Sequence, residues 1–179
     1  MSQSLPVVLV SACLLGQAVR YDGQSKAADL SELINQGIAL IPICPECAGG
    51  LPIPRDPCEI APCGSSKGVL EGRDRIMSNK GKDCTEQYCR GARFCLAIAK
   101  KYHVSFALLK EKSPACGSTL IHSGYFDGTL IKGRGIASEL LSQNGIKVFN
   151  EQRIDQLITS IKISQSSNTI GQTRQTPQC

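Results

Sequence analysis

The strongest constraint on this chain lies between residues 6 and 43, where an apolar run, a helical stretch and a second apolar run follow one another. Residues 6–12 are apolar enough to make a buried strand. Residues 26–36 place Ala27, Leu30, Leu33 and Ile34 at helical period, and Gly37 stands where a helix stop is needed. Residues 38–43 supply the second buried strand. Strand, helix and strand in so short a length is the signature of a parallel βαβ unit. The fold expected is α/β: a single-domain, mostly parallel, Rossmann-like sheet flanked by helices.

The rest of the chain extends that plan. Residues 104–109 read as a third strand and 146–149 as a fourth. Residues 136–143 form a helix closed by Asn144-Gly145, and 153–161 a last short one. Asp83-x-x-Glu86 looks like a capping box for a helix reaching about Tyr102, with Cys84, Tyr88, Gly91, Cys95, Ile98 and Tyr102 along its core stripe. Residues 121–131, with Asp127-Gly128, suit a hairpin or an irregular excursion. Residues 44–72 hold most of the prolines and exceed an ordinary connection, which points to a functional loop. With 179 residues, 41% of them hydrophobic and only 4% aromatic, aliphatic sheet–helix packing fills one domain over residues 1–163. Residues 164–179 are rich in Ser, Gln, Thr and Asn and are expected to be a disordered polar tail.

Charge and hydropathy narrow the partners. The net charge of +5 is dispersed, and Lys110 and Lys112 carry Glu111 between them, so no dense phosphate-binding stripe is present and no nucleic-acid partner is expected. No apolar run approaches the ~20 residues of a membrane span. The first residues lack a basic segment and read as a strand rather than a secretory signal, so the expected setting is cytoplasmic. Ten cysteines in a reducing compartment do not make a disulfide framework.

Three of those cysteines share a topological relation. Cys13 and Cys44 directly follow the first two strands, and Cys116 lies a few residues beyond the third. Loops leaving the C-terminal ends of parallel strands share one edge, where ligands bind. The three can therefore converge although 31 and 72 residues separate them. Strand geometry alone leaves two readings open, a ligand set or small buried hydrophobes. Cys84 and Cys95 fall on a core face, Cys58 and Cys63 on the long loop, Cys89 off the stripe, and Cys179 at the end of the tail.

Longer motifs carry a resemblance. They are Ser11-Ala12-Cys13-Leu14-Leu15-Gly16, Arg20-Tyr21-Asp22-Gly23, Cys44-Pro45-Glu46, Gly49-Gly50-Leu51-Pro52, Pro54-Arg55, the stretch from Lys110 to Gly117, and Gly133-Arg134-Gly135. Together they resemble the bacterial thiouracil desulfidase-like family over roughly residues 7–150. The resemblance implies a [4Fe–4S] cluster on Cys13, Cys44 and Cys116, with Glu46 as acid/base and Ser113 as a substrate-binding or proton-handling hydroxyl. It implies non-redox desulfuration of a thiolated pyrimidine such as 2-thiouracil to the oxo compound plus sulfide, the substrate sulfur binding the open iron. The partner implied is a small thio-nucleobase. Read as loop residues alone, Glu46 is a surface carboxylate or a partner of Arg55, and Ser113 is a turn residue before proline. Tyr21, Asp22 and Arg55 are further pocket candidates.

The sequence departs from the family pattern at three places. Cys47 stands where an aliphatic residue is usual, Cys58 where a small one is, and Ala115 where serine is frequent. Cys44-Pro45-Glu46-Cys47 opens an alternative, a non-catalytic iron–sulfur or zinc-thiolate redox or sensing protein with Cys47 as an extra ligand. Structural zinc usually joins two such knuckles, and only one is present. No G-x-x-x-x-G-K-[ST] phosphate loop supports ATP-driven thiolation.

Overall fold

The structure, a computed structural model, describes residues 5–172. Alternation along the first strand, β1 (Val7–Ser11), sets the layers: Val8 and Val10 enter one apolar cluster and Leu9 the other. A short 3-10 turn, Ala12–Leu15, follows, then α1 (Ser31–Asn35), β2 (Ala39–Ile43) and α2 (Pro45–Ala48). Next come β3 (Cys58–Ile60), α3 (Ser66–Leu70), β4 (Ile76–Ser78) and the long α4 (Thr85–Lys101). The chain continues through β5 (Phe106–Leu109), β6 (Leu120–His122), β7 (Leu130–Lys132), α5 (Ile136–Gln143), β8 (Lys147–Asn150) and α6 (Ile154–Gln172).

Strands β2, β1, β5 and β8 form one sheet in that order, every neighbouring pair parallel. Val8, Val10, Phe106 and Leu108 pack on one face with Leu33 of α1 and Leu157, Ile158 and Ile161 of α6. Leu9, Ala107 and Leu109 pack on the other with α4 and α5. The expected parallel α/β sheet is present, and the chain reverses its direction of travel across the sheet between β1 and β5. Two small antiparallel hairpins, β3–β4 and β6–β7, lie outside it.

Three elements differ from expectation. The helix expected over 26–36 is only α1, because Lys26 and Ala28 donate their N–H groups to Cys13 O and Leu14 O at 3.0 and 2.9 Å and hold that stretch against the 3-10 turn. Asp29 then starts the helix late, accepting from the N–H and Oγ of Ser31 at 3.0 and 2.6 Å. In α4 the buried face runs through Tyr88, Cys89, Ala92, Cys95 and Ala99, so Cys89 is core and Tyr102 is exposed. The last helix continues past Ile161 to Gln172, so residues 164–172 of the expected tail are helical; residues 173–179, including Cys179, lie outside the described residues.

Helix α2 is set against α4 by backbone contact. A Cβ on Gly49 would lie 2.0 Å from Gln87 O, and one on Gly91 would lie 1.9 Å from Pro45 O. Only glycine permits that approach. Arg90 Nε adds a 3.0 Å hydrogen bond to Gly49 O. Since Cys44 and Glu46 flank Pro45, this contact fixes the start of the long loop.

The loop after β5 is organised by one buried carboxylate. Glu111 Oε2 accepts from Ser118 N, Ser118 Oγ and Asn150 Nδ2 at 2.9, 2.7 and 2.8 Å. Its Oε1 accepts from Thr119 N, Thr119 Oγ1 and Leu120 N at 2.9, 2.7 and 2.5 Å. Burial opposes the charge, but the hydrogen bonds from Ser118, Thr119 and Leu120 prevail and hold the carboxyl down to about 2. The segment carrying Ser113 and Cys116 is thus closed into a ring around an anion.

Both devices are testable by unfolding. Gly91→Ala should lower stability by roughly 1–3 kcal/mol through overpacking, and an unchanged urea midpoint would remove the backbone-contact account. Because Glu111 titrates lower in the folded chain than in the unfolded one, its stabilisation is complete above about pH 4.5 and is lost as pH falls toward 2. Glu111→Gln should cost about 3 kcal/mol at pH 7 and converge on the parent chain in acid. Parallel stability–pH curves for the two chains would contradict this.

Candidate active site

A cavity of about 560 Å³ opens at the C-terminal edge of the sheet, where the strand order reverses, and it is lined by Cys13, Cys44, Cys116, Glu46 and Ser113 together. This is where an open parallel sheet binds its ligands. Ser11, the last residue of β1, ties the two central exits: its Oγ accepts from Lys110 N at 2.9 Å and donates toward Cys116 Sγ at 3.6 Å. Cys13 sits in the 3-10 turn after β1, Cys44 at the N-cap of α2, and Cys116 in the loop ordered by Glu111.

The thiols are held in a poorly solvating wall. Burial pushes Cys13 up, against the pull of Lys110. Burial, with Cys47 and Glu46 close by, pushes Cys44 up to about 12. Burial pushes Cys116 well up too, despite the Ser11 hydrogen bond. Burial that raises a thiol disfavours its thiolate, the form that attacks carbon. What three such thiols can do is ligate a soft metal that displaces their protons. Among the described residues no three His, Cys, Asp or Glu side chains gather closely enough for a single ion. A cubane meets each thiolate at a separate iron, so a trio spread around a roomy cavity fits that group.

Glu46 is held at both oxygens. Ser113 Oγ donates to Oε1 at 3.2 Å, and Arg55 Nε donates to Oε2 at 2.7 Å. Arg55 is fixed in turn by Val19 O at 3.0 Å and Pro52 O at 3.1 Å. Ser113 also accepts from Ala115 N and Cys116 N at 3.0 and 3.2 Å. The bland and the functional alternatives for Glu46 and Ser113 thus coexist: one is an ion-pair partner, the other a turn former, and both line the cavity. A carboxylate gripped this way has one orientation available for proton transfer.

Other candidates separate cleanly. Tyr21 lines the cavity, whereas Asp22 pairs with Arg20 at 3.3 Å and receives Gln24 N in a turn. Cys44 and Cys47 both turn their Sγ toward Val19 O, at 3.8 and 3.7 Å, and Cys47 also meets Arg55 Nη1 at 3.9 Å; of the two, only Cys44 lines the cavity. Cys58 is buried at the start of β3 and lines the cavity, while Cys63 is exposed. Cys84, Cys89 and Cys95 are core. Sequence reasoning missed Glu111, whose signal was a lone acid just after an apolar strand with Ser118 and Thr119 following. It also missed Glu59, Tyr88, His122 and Phe126, which reach the cavity from elements with no local motif.

Comparison with known proteins agrees with this geometry. The chain is 39% identical over 153 residues to the uncharacterized protein YbbK of Bacillus subtilis (strain 168), covering 85% of this chain and all of that one. A solved structure described as a [4Fe-4S]-dependent thiouracil desulfidase, TudS, superposes with a TM-score of 0.78 at 39% identity, over 88% of this chain and 99% of the other. The family profile described as 2-thiouracil desulfurase matches residues 8–153. That span contains every residue lining the cavity, and the chain therefore belongs to the 2-thiouracil desulfurase family.

Proposed function

We propose that this chain converts a thiolated pyrimidine of the 2-thiouracil type to its oxo counterpart, with water as the only co-reactant and hydrogen sulfide as the second product. Cys13, Cys44 and Cys116 would hold a [4Fe–4S] cluster, the cofactor on which the TudS neighbour depends. Three thiolates leave one iron of such a cluster open, and it supplies a soft Lewis acid for a thiocarbonyl sulfur. The observation that carries the reading is the meeting of these three thiols with the Glu46–Ser113 pair in one cavity.

The protein's own groups then divide the work. Glu46 takes a proton at Oε1 from the water that adds to the thiocarbonyl carbon, while Arg55 holds Oε2 and keeps the carboxylate aimed. Ser113, hydrogen-bonded to Glu46, hands a proton between that oxygen and the substrate as the carbon–sulfur bond breaks. C=S and H2O become C=O and H2S, so no electron enters or leaves. The redox or sensing alternative is not favoured: the family is one of desulfurases, and Cys47, unlike Cys44, is not among the residues lining the cavity. No helix among the described residues is long and apolar enough to cross a membrane. A reducing, cytoplasmic setting suits the free thiols and an oxygen-sensitive cofactor.

Anaerobic reconstitution with iron and sulfide should give a brown protein that turns 2-thiouracil into uracil and sulfide in equal amounts. Alanine at residue 13, 44 or 116 should abolish the visible absorbance. Glu46→Gln should keep the absorbance and lose roughly 10²–10⁴-fold in rate. A colourless protein, or a brown one that leaves 2-thiouracil intact, would overturn the reading. Full turnover by Glu46→Gln would remove that residue from the chemistry.

A further inference from the structure

A strap of chain after the 3-10 turn is fastened to the corner of the cavity that holds Cys44 and Glu46. Val19 O accepts from Arg55 Nη2 at 3.0 Å and lies 3.8 Å from Cys44 Sγ. Two residues on, Tyr21 O accepts from Arg55 N at 2.8 Å. The same arginine holds Glu46 Oε2 through its Nε at 2.7 Å. Residues 19–21 are therefore placed relative to one of the three converging thiols and to the carboxylate at once.

That strap brings an aromatic ring to the cavity. Tyr21 lines it and is 42% exposed, so ring surface is open to a ligand before one arrives. Tyr88 lines it too but is only 2% exposed and has no free face to offer. Phe126 comes from the β6–β7 hairpin, whose main chain is tied to Glu59 rather than to Glu46. The Arg20 guanidinium lies 5.7 Å from the centre of the Tyr21 ring, and Asp22 holds that cation at 3.3 Å. Gly23 N donates to Arg20 O at 3.0 Å and Gln24 N to Asp22 Oδ1 at 3.1 Å, which closes the turn behind the ring. A cation over one ring face steadies the ring and leaves the other face unclaimed. Exposed apolar surface gains by being covered, and a planar heterocycle covers a ring face well.

We infer that Tyr21 is the stacking platform of the site: its free ring face covers the pyrimidine and sets the plane in which the thiocarbonyl is presented. This rests on the desulfuration reading and adds to it how the substrate is oriented. The sulfur, its carbon and the heterocycle share one plane, and water adds to that carbon from above or below it. Fixing the plane therefore fixes the direction of attack relative to Glu46, and Arg55 ties the platform and that carboxylate together. Stacking responds to a flat π face and tolerates different edge substituents. Tyr21 thus selects flat, unsaturated rings over puckered, saturated ones and takes no part in the bond changes.

The test uses the reconstituted holoenzyme and compares uracil with dihydrouracil, which keeps the same oxygens and N–H groups on a puckered ring. Anaerobic calorimetry on the parent enzyme should show uracil bound roughly 10-fold more tightly than dihydrouracil. Tyr21→Leu should lose that preference by weakening uracil alone, and should raise KM for 2-thiouracil roughly 10-fold with a much smaller change in kcat and unaltered cluster absorbance. Tyr21→Phe should restore most of the preference, since the ring and not the hydroxyl supplies it. Tyr21→Trp installs the sole tryptophan of the chain, and uracil but not dihydrouracil should quench its fluorescence. Equal affinity of the parent enzyme for the two ligands would overturn the inference whether or not any variant folds. A preference that survives in Tyr21→Leu would overturn it as well, by assigning the stacking to another ring. A parent holoenzyme that binds uracil in preference to dihydrouracil yet leaves 2-thiouracil intact would instead overturn the desulfuration reading.

Discussion

The site depends first on one buried carboxylate in the loop that carries Ser113 and Cys116. Glu111 draws six donors from four residues onto its two oxygens and so folds the chain after β5 back on itself. Without that ring, Ser113 and Cys116 would sit on a loop with little apolar content of its own. Its position in the sheet matters as much as its bonds. Asn150, at the end of β8, donates into the same carboxylate, so the loop is referenced to the sheet rather than merely to itself. Ser11 supplies the matching tie on the other side, from β1 to Lys110 and Cys116.

From this frame the electrostatics of the cavity follow. Thiols placed in a poorly solvating wall keep their protons until a metal removes them, so the free chain carries no exposed reactive thiolate at the centre. The Glu46 carboxylate is treated in the opposite way: Arg55 and Ser113 occupy it from two sides and leave it one geometry. Lys110 is paired with Glu151 rather than left as a free cation at the rim. The three thiols and the Glu46 carboxylate therefore share one cavity under different local rules.

Much of this was legible in the sequence because parallel strands make a strong local signal. The four sheet strands, α4, α5 and the exits bearing Cys13, Cys44 and Cys116 could be read from apolar runs and their terminators. Residues 26–36 could not, because their helical period competed with hydrogen bonds to Cys13 O and Leu14 O that no local pattern reveals. Arg55 reaches Glu46 across a proline-rich turn, a pairing the sequence offered as one alternative without the geometry that fixes it. Glu111 was hidden for a different reason: an acid between two lysines reads as a solvated face, and only the closed loop turns it inward. His122 and Phe126 come from a short hairpin outside the main sheet, where periodicity over three-residue strands carries little information.

The close seating of α2 on α4 has a consequence for how such an enzyme can be altered. At Gly49 and Gly91 main chain meets main chain, so the spacing between those helices is a ruler made of peptide units. The acid at the head of α2 would keep its place while the opposite, hairpin-built side of the chamber was reshaped. New substrate tolerance can thus be sought in one half of the molecule with the reactive half left as found.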